Sequence, residues 1–166
     1  MEKIKSMNYK NYIDSIDNFP KKGIIYKDIQ PILENNKIFQ SAIEDMGELI
    51  KTPPDYWVGI ESRGFIFASA LSILLGGGIK LIRKKGKLPN ANLISISYNL
   101  EYGSDNIEMK KGKGNVIIVD DVLATGGTLK ASTDLCIKSG YNVINTLCLM
   151  DIGILKNHNT KCLINY

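Results

Sequence analysis

The sequence has few of the residues that bind transition metals or crosslink a fold. Of 166 residues, one is histidine, one is tryptophan and three are cysteine. Cys136, Cys148 and Cys162 are odd in number and show no CxxC spacing. That argues against a disulfide framework and against a zinc site, and it fits a reducing, cytoplasmic setting. The lone His158, near the C-terminus, reads as a surface residue and not as a catalytic one. No apolar run is long enough to span a bilayer, since the longest, FIFASALSILLGGGI, is too short and too rich in glycine. The opening MEKIKSMNYK lacks the apolar core of a signal peptide, so no membrane partner is expected. Repeats, low-complexity segments and Pro/Ser-rich linkers are missing too, and a single domain over residues 1–166 is the expectation.

What is present is ordinary for a folded protein: 44% hydrophobic and 23% charged residues. The formal charge of +4 is small, and its basic residues gather in RKKGK (83–87) and KKGKG (110–114). Alone, such runs read equally well as solvated loops or as phosphate ligands. A nucleic-acid partner would require a broad basic face or a reading helix pair, and neither is visible, so none is expected.

The hydrophobic pattern alternates between two periods. YWVGIE (56–61), IKLIRK (79–84), NVIIVDD (115–121) and NVINTLCLMD (142–151) read as strands. GFIFASALSILLG (64–76) reads as a helix ended by three glycines, and a second helix from about Thr128 carries Leu129, Ala131, Leu135 and Cys136 on one arc before Ser139-Gly140 stops it. LISISYNLEY (93–102) alternates with period two, and with NIEMK (106–110) after the turn residues GSDN it predicts a hairpin with a mobile tip. Strand, helix, strand, helix predicts an α/β fold with a parallel sheet flanked by helices. Ligands then belong beyond the carboxyl ends of the strands, where ESRG, RKKGKLP and DDVLATGGT fall.

These loops carry complementary chemistry. In ATGGT (124–128) two glycines can turn successive amides inward at a helix start, and Thr125 and Thr128 add hydroxyls. That suits a monophosphate, and the Walker ending and the Rossmann glycine spacing are both lacking. Asp120 and Asp121 repel each other unless hydroxyls or a cation are provided. Carboxylates are poor phosphate ligands and good acceptors for ribose hydroxyls, so acid pair and amide cradle together predict a ribose 5-phosphate site. Arg63, with the amides of Ser62 and Gly64, offers a second anion site, and Arg83, Lys84, Lys85 and Lys87 concentrate positive charge nearby.

VIIVDDVLATGGT resembles the phosphoribosyl diphosphate (PRPP) signature of type I phosphoribosyltransferases. NFPKKGIIYKDIQPIL (18–33), GIESRGFIF (59–67), IRKKGKLP (82–89) and YNLEYGSDNIEM (98–109) narrow the resemblance to the adenine phosphoribosyltransferase family, over roughly residues 12–151. The resemblance implies a type I phosphoribosyltransferase fold with a small N-terminal hood (1–33) and a flexible hairpin lid (93–110). It implies transfer of the 5-phosphoribosyl group from PRPP to N9 of adenine, giving AMP and diphosphate in purine salvage. Mg²⁺ would be held mainly by PRPP and diphosphate oxygens and water, with no protein metal site, and the enzyme would be a homodimer.

Residue by residue, the resemblance assigns the ribose hydroxyls to Asp120 and Asp121. It assigns the 5-phosphate to Ala124, Thr125, Gly126, Gly127 and Thr128. Diphosphate goes to Ser62, Arg63 and Gly64, with Arg83 and Lys87 assisting, the latter two conceivably from a partner subunit. Adenine goes to Ile25, Tyr26 and Lys27, and the proton at its imidazole nitrogens to Glu101. Tyr98 and Tyr102 read as strand packing, with Tyr102 carried as a lid contact at most. Lys27 departs from the arginine common in the family, and LLGGGIK and Ala68 depart from its usual text. Two rivals remain at this point: a 6-oxopurine phosphoribosyltransferase, which FPKKGIIYKDI speaks against, and a PRPP-sensing regulator without catalysis.

Overall fold

A computed structural model of the chain describes residues 7–89, 91–100 and 103–166. They fall into two units, Met1–Ala42 and Ile43–Tyr166. In the first, a 3₁₀ turn (Tyr9–Tyr12) is capped by the Asn8 side chain, which accepts from the Lys10 N–H. Strands β1 (Asp14–Asp17) and β2 (Ile25–Asp28) pair antiparallel from Asp14↔Asp28 to Asp17↔Ile25. Their connection is closed by Asn18, whose side chain accepts from the Gly23 N–H at 2.9 Å. The Asp28 carboxylate then accepts from the Gln30 N–H and starts the short helix α1 (Gln30–Leu33), with Pro31 in its first turn. The unit boundary falls within α2 (Asn36–Glu48), which buries Ile38, Ala42, Ile43 and Met46 on one face at helical spacing.

The second unit is built on a seven-stranded sheet. Its elements are β3 (Tyr56–Ile60), α3 (Gly64–Leu75), β4 (Gly78–Lys84), β5 (Leu93–Leu100), β6 (Gly103–Lys110), β7 (Asn115–Leu123), α4 (Gly127–Lys138), β8 (Asn142–Asp151) and β9 (Lys161–Asn165). The strand order is β5-β6-β4-β3-β7-β8-β9, parallel from β4 to β9, with β5 and β6 antiparallel at one end. The central β7 explains its own sequence. Val116 and Ile118 join the core cluster that includes Leu129, Leu135 and Cys136 of α4, while Ile117 and Val119 are fully buried on the opposite face. A strand covered on both faces reads as an unbroken apolar run, because there is no solvent side to make polar.

Strand, helix, strand, helix is the observed order, and the α4 arc buries Leu129, Ala131, Leu135 and Cys136 as the periodicity predicts. Two elements differ from expectation. Gly103–Asn106 were predicted as turn and are strand, paired with Leu100 to Ser97. Gly103 and Ser104 are exposed and meet no burial requirement, half-buried Asp105 is paired with Lys84, and Ser97 hydrogen-bonds Asn106 across the ribbon. The strand β9 was not foreseen, since KCLIN carries little periodic signal. Among the described residues, no helix is long and apolar enough to cross a membrane.

Candidate active site

The carboxyl ends of β3, β4 and β7 open into a cleft of about 300 Å³. Its lining includes Glu61, Ser62, Arg63, Lys84, Tyr98, Asp105, Asp120, Asp121 and Thr128. A second hollow of about 70 Å³ adjoins it through Asp120 and Thr128 and is formed by residues 122–129, the predicted phosphate loop. The structure therefore brings the acid pair, the ESRG turn and the ATGGT loop together, and all belong to the second unit.

The geometry of the acid pair follows from its place on a buried strand. Asp121 is 4% exposed, and its Oδ2 lies 2.7 Å from Nε of Arg63. The contact is an ion pair, and among the described residues Oδ2 has no hydrogen-bond partner. Asp120 Oδ1 accepts from the Asp121 N–H at 2.9 Å. Burial pushes the Asp120 carboxyl well above its ordinary value of 3.8, and the Asp121 charge pushes it further. Asp121 is raised by burial as well, and Arg63 opposes the rise.

The folded carboxyls hold their protons more tightly than unfolded ones, so between pH 3.8 and the raised values the native state binds more protons. Stability is then withdrawn as pH rises through that window. Asp120→Asn is accordingly expected to stabilise the ligand-free chain by about 1–2 kcal/mol at pH 7 while impairing PRPP use. The amide oxygen can still accept from the Asp121 N–H. Urea unfolding at pH 7 and pH 4.5 checks this: the gain should shrink at the lower pH, and a variant less stable than the parent at pH 7 would contradict it.

The ESRG turn is seated tightly on β7. The Glu61–Ser62 peptide is cis. A Cβ at Gly64 would stand 2.5 Å from the Val119 carbonyl oxygen and 3.4 Å from Oδ1 of Asp120, so only glycine lets α3 begin this close to the acid pair. In the phosphate loop, Gly126 has φ +85 and is the residue before α4.

Of the basic residues, Lys84 reaches the cleft and ion-pairs with Asp105 at 3.3 Å. Arg83 and Lys87 are not in its lining. Side chains alternate along β4, so Arg83 faces away from Ile82 and Lys84. Its Nε lies 3.3 Å from Oε2 of Glu61, which also accepts from the Lys84 N–H at 2.8 Å, and its guanidinium donates to the Lys87 carbonyl at 3.3 Å. Buried Glu108 accepts from the Gly86 and Leu88 N–H groups at 3.0 and 3.3 Å and shapes the RKKGK turn. Sequence reasoning missed Glu61 and Glu108 as organisers. For Glu61, its place in ESRG before the arginine was the available signal.

In the first unit, Ile25 is 57% exposed, Tyr26 meets the Phe19 ring edge-on at 5.1 Å, and Lys27 Nζ donates to Ser15 Oγ at 2.8 Å. Glu101 and Tyr102 lie outside the described residues. Tyr98, read as strand packing, lines the cleft. His158, read as a surface residue, is half-buried with Nε2 3.0 Å from Oδ2 of Asp151. Among the described residues no three His, Cys, Asp or Glu side chains cluster to hold a metal.

A strand-end acid pair beside an amide loop at a helix start, faced by an arginine turn on the neighbouring strand, defines a phosphoribosyl-transferring site. The family model described as phosphoribosyl transferase domain matches residues 26–165. An adenine phosphoribosyltransferase of Hydrogenovibrio crunogenus is 45% identical over 88% of this chain and 86% of its own length. The crystal structure of adenine phosphoribosyltransferase from Thermoanaerobacter pseudethanolicus superposes with a TM-score of 0.87 at 38% identity, covering 95% of this chain and 97% of that one. The Saccharomyces cerevisiae enzyme, solved with an imino-altritol bisphosphate and adenine, matches with a TM-score of 0.84 at 35% identity over 92% and 93% of the two chains. The chain belongs to the adenine phosphoribosyltransferase family, whose members are pentosyltransferases.

Proposed function

We propose the following division of roles for the transfer of the 5-phosphoribosyl group from PRPP to N9 of adenine, giving AMP and diphosphate. The observation that carries it is the Arg63–Asp121 pair at 2.7 Å, which joins the predicted diphosphate turn to the predicted ribose acids in one cleft. Asp120 and Asp121 accept the ribose hydroxyls. Supplying two donors to the acid pair offsets the desolvation that raises both carboxyls and the Asp121 charge that raises Asp120 further. Residues 124–128 hold the 5-phosphate through inward amides, the Thr125 and Thr128 hydroxyls and the start of α4. Arg63, with the Ser62 and Gly64 amides, binds the diphosphate. Lys84, already in the cleft, adds charge there.

The displacement passes through a transition state with oxocarbenium character, in which the sugar becomes positive and the leaving group negative. Arg63 acts on the leaving group, where fixed charge in a water-poor cleft is most effective. Glu101, which follows β5 in the sequence, takes or relays the proton of the base, while Ile25, Tyr26 and Lys27 of the hood read adenine. The ribbon, as a lid, excludes water that would otherwise hydrolyse the activated sugar. Arg83 and Lys87 assist from the partner subunit of a homodimer, a reading supported by Arg83 facing away from its own cleft. Magnesium fits as a substrate-borne ion: Asp120 and Asp121 offer hard carboxylate oxygens in the cleft and would contact it through water. When bound, it neutralises charge on the departing diphosphate. The setting is the cytoplasm.

Base selectivity tests the whole assignment. With PRPP and Mg²⁺ supplied, AMP should form from adenine, and neither hypoxanthine nor guanine should yield product at comparable rates. Turnover with a 6-oxopurine would retain the PRPP site and overturn the role of residues 18–33.

A further inference from the structure

Strands β8 and β9 are parallel neighbours, yet residues 152–160 join them without a helix. Parallel connections are usually longer and helical, so this loop needs other support. Asp151, the last residue of β8, supplies it with both carboxylate oxygens. Oδ1 accepts from the Gly153 N–H at 2.7 Å, near the start of the loop, and Oδ2 lies 3.0 Å from Nε2 of His158, near its end. The two side chains are only 12% and 20% exposed, so the pair is shielded from solvent. Main-chain bonds fasten the same corner: Ile152 N–H donates to the Leu123 carbonyl at 3.1 Å, and Tyr166 N–H donates to the Asp151 carbonyl at 3.0 Å. Burial by itself would raise the Asp151 carboxyl, but the Gly153 N–H and His158, with Lys156 nearby, hold it below its ordinary value.

Between the two fastened ends, Leu155 packs against the core cluster. Its Cδ2 occupies the space beside Gly126, 2.6 Å from where a Cβ would stand. Gly126 is the left-handed centre of the phosphate loop, and glycine at such a position has wide backbone freedom unless something walls it in. Chain neighbours aside, the three heavy atoms nearest that Cβ position all belong to Leu155.

We propose that Leu155, held in place by the Asp151–His158 clasp, is a positioning residue for the 5-phosphate cradle: it sets the backbone of Gly126 so that the amides of residues 125–128 converge before PRPP arrives. The inference rests on the assignment of residues 124–128 to the 5-phosphate. Preorganised donors hold an anion without first ordering the loop, so losing the wall should weaken PRPP binding more than it slows chemistry.

Steady-state kinetics on the full chain, with PRPP and adenine varied in turn, tests this. Leu155→Ala should raise KM for PRPP about tenfold, with kcat within about threefold and a smaller change in KM for adenine. Leu155→Met, which keeps the length of the side chain, should stay within about twofold of the parent. His158→Ala should raise KM for PRPP about threefold and add little on top of Leu155→Ala, because the clasp acts only through the loop. Thr125→Ala, inside the cradle itself, is the reference. If Thr125→Ala raises KM for PRPP and Leu155→Ala does not, the positioning role is wrong and the cradle stands. If neither moves it, the cradle assignment fails and takes the inference with it. A lower Tm and fewer active molecules with both KM values unchanged would reduce Leu155 to a packing residue and overturn the proposal.

Discussion

Exchanging Asp121 for asparagine is expected to lower kcat/KM for PRPP about a thousandfold, equivalent to about 4 kcal/mol of transition-state stabilisation. The shape of the side chain barely changes, so the effect is one of charge. Asp121 is 4% exposed, and its Oδ2 is the anion beside Arg63 Nε. An amide cannot hold the guanidinium at 2.7 Å by charge, so Arg63, itself 34% exposed, loses that anchor. One substitution thus removes a ribose acceptor and loosens the cation meant for the leaving group. The loss should fall on both kcat and PRPP affinity while the melting temperature stays near that of the parent. A decrease smaller than about tenfold would take Asp121 out of the reacting site.

Gly64→Ala should destabilise the second unit by about 3 kcal/mol. The added carbon would meet the Val119 carbonyl oxygen at 2.5 Å, and that atom belongs to β7, an interior strand held between β3 and β8, which cannot step aside. The start of α3 must retreat instead, taking Ser62 and Arg63 away from Asp120 and Asp121. A urea midpoint shifted well below that of the parent, with an unchanged m value, is the expected reading. An unshifted midpoint would mean that α3 can rise from the sheet without loss.

The legible parts of the sequence were those where local chemistry and global placement coincide. NVIIVDD could only be a buried strand, and acids at its end followed by TGGT could only make sense at a ligand. The same holds for ESRG, where a strand end, an arginine and a glycine before an apolar helix all point to one turn. Alternation along IKLIRK already separates Lys84 from Arg83, although the motif drew attention to the arginine. What could not be read depends on contacts between distant residues. Glu108 is an unremarked acid in a ribbon until its carboxylate is found across the strand pair, holding the Gly86 and Leu88 amides. His158 reads as a surface residue because nothing nearby in sequence predicts that Asp151, across a loop, will face it. GSDN misled because turn-forming residues are equally at home in an exposed strand.

The unequal ladders of the β5–β6 ribbon have a mechanical consequence. Its two strands share eight paired positions, from Leu93↔Lys110 to Leu100↔Gly103, whereas β6 joins the main sheet through only Arg83↔Glu108 and Lys84↔Ile107. The ribbon is therefore stiff along its length and clamped to the sheet at a narrow root, while Ile94, Ile96 and Tyr98 of β5 rest on the core cluster beside α4. The clamp is sound, because Ile107, Glu108 and Met109 are all buried there. Any widening of the cleft on this side would bend that narrow root, lift Ile94, Ile96 and Tyr98 off the core cluster and swing Tyr98 and Leu100 together as one arm, leaving the ribbon zipped.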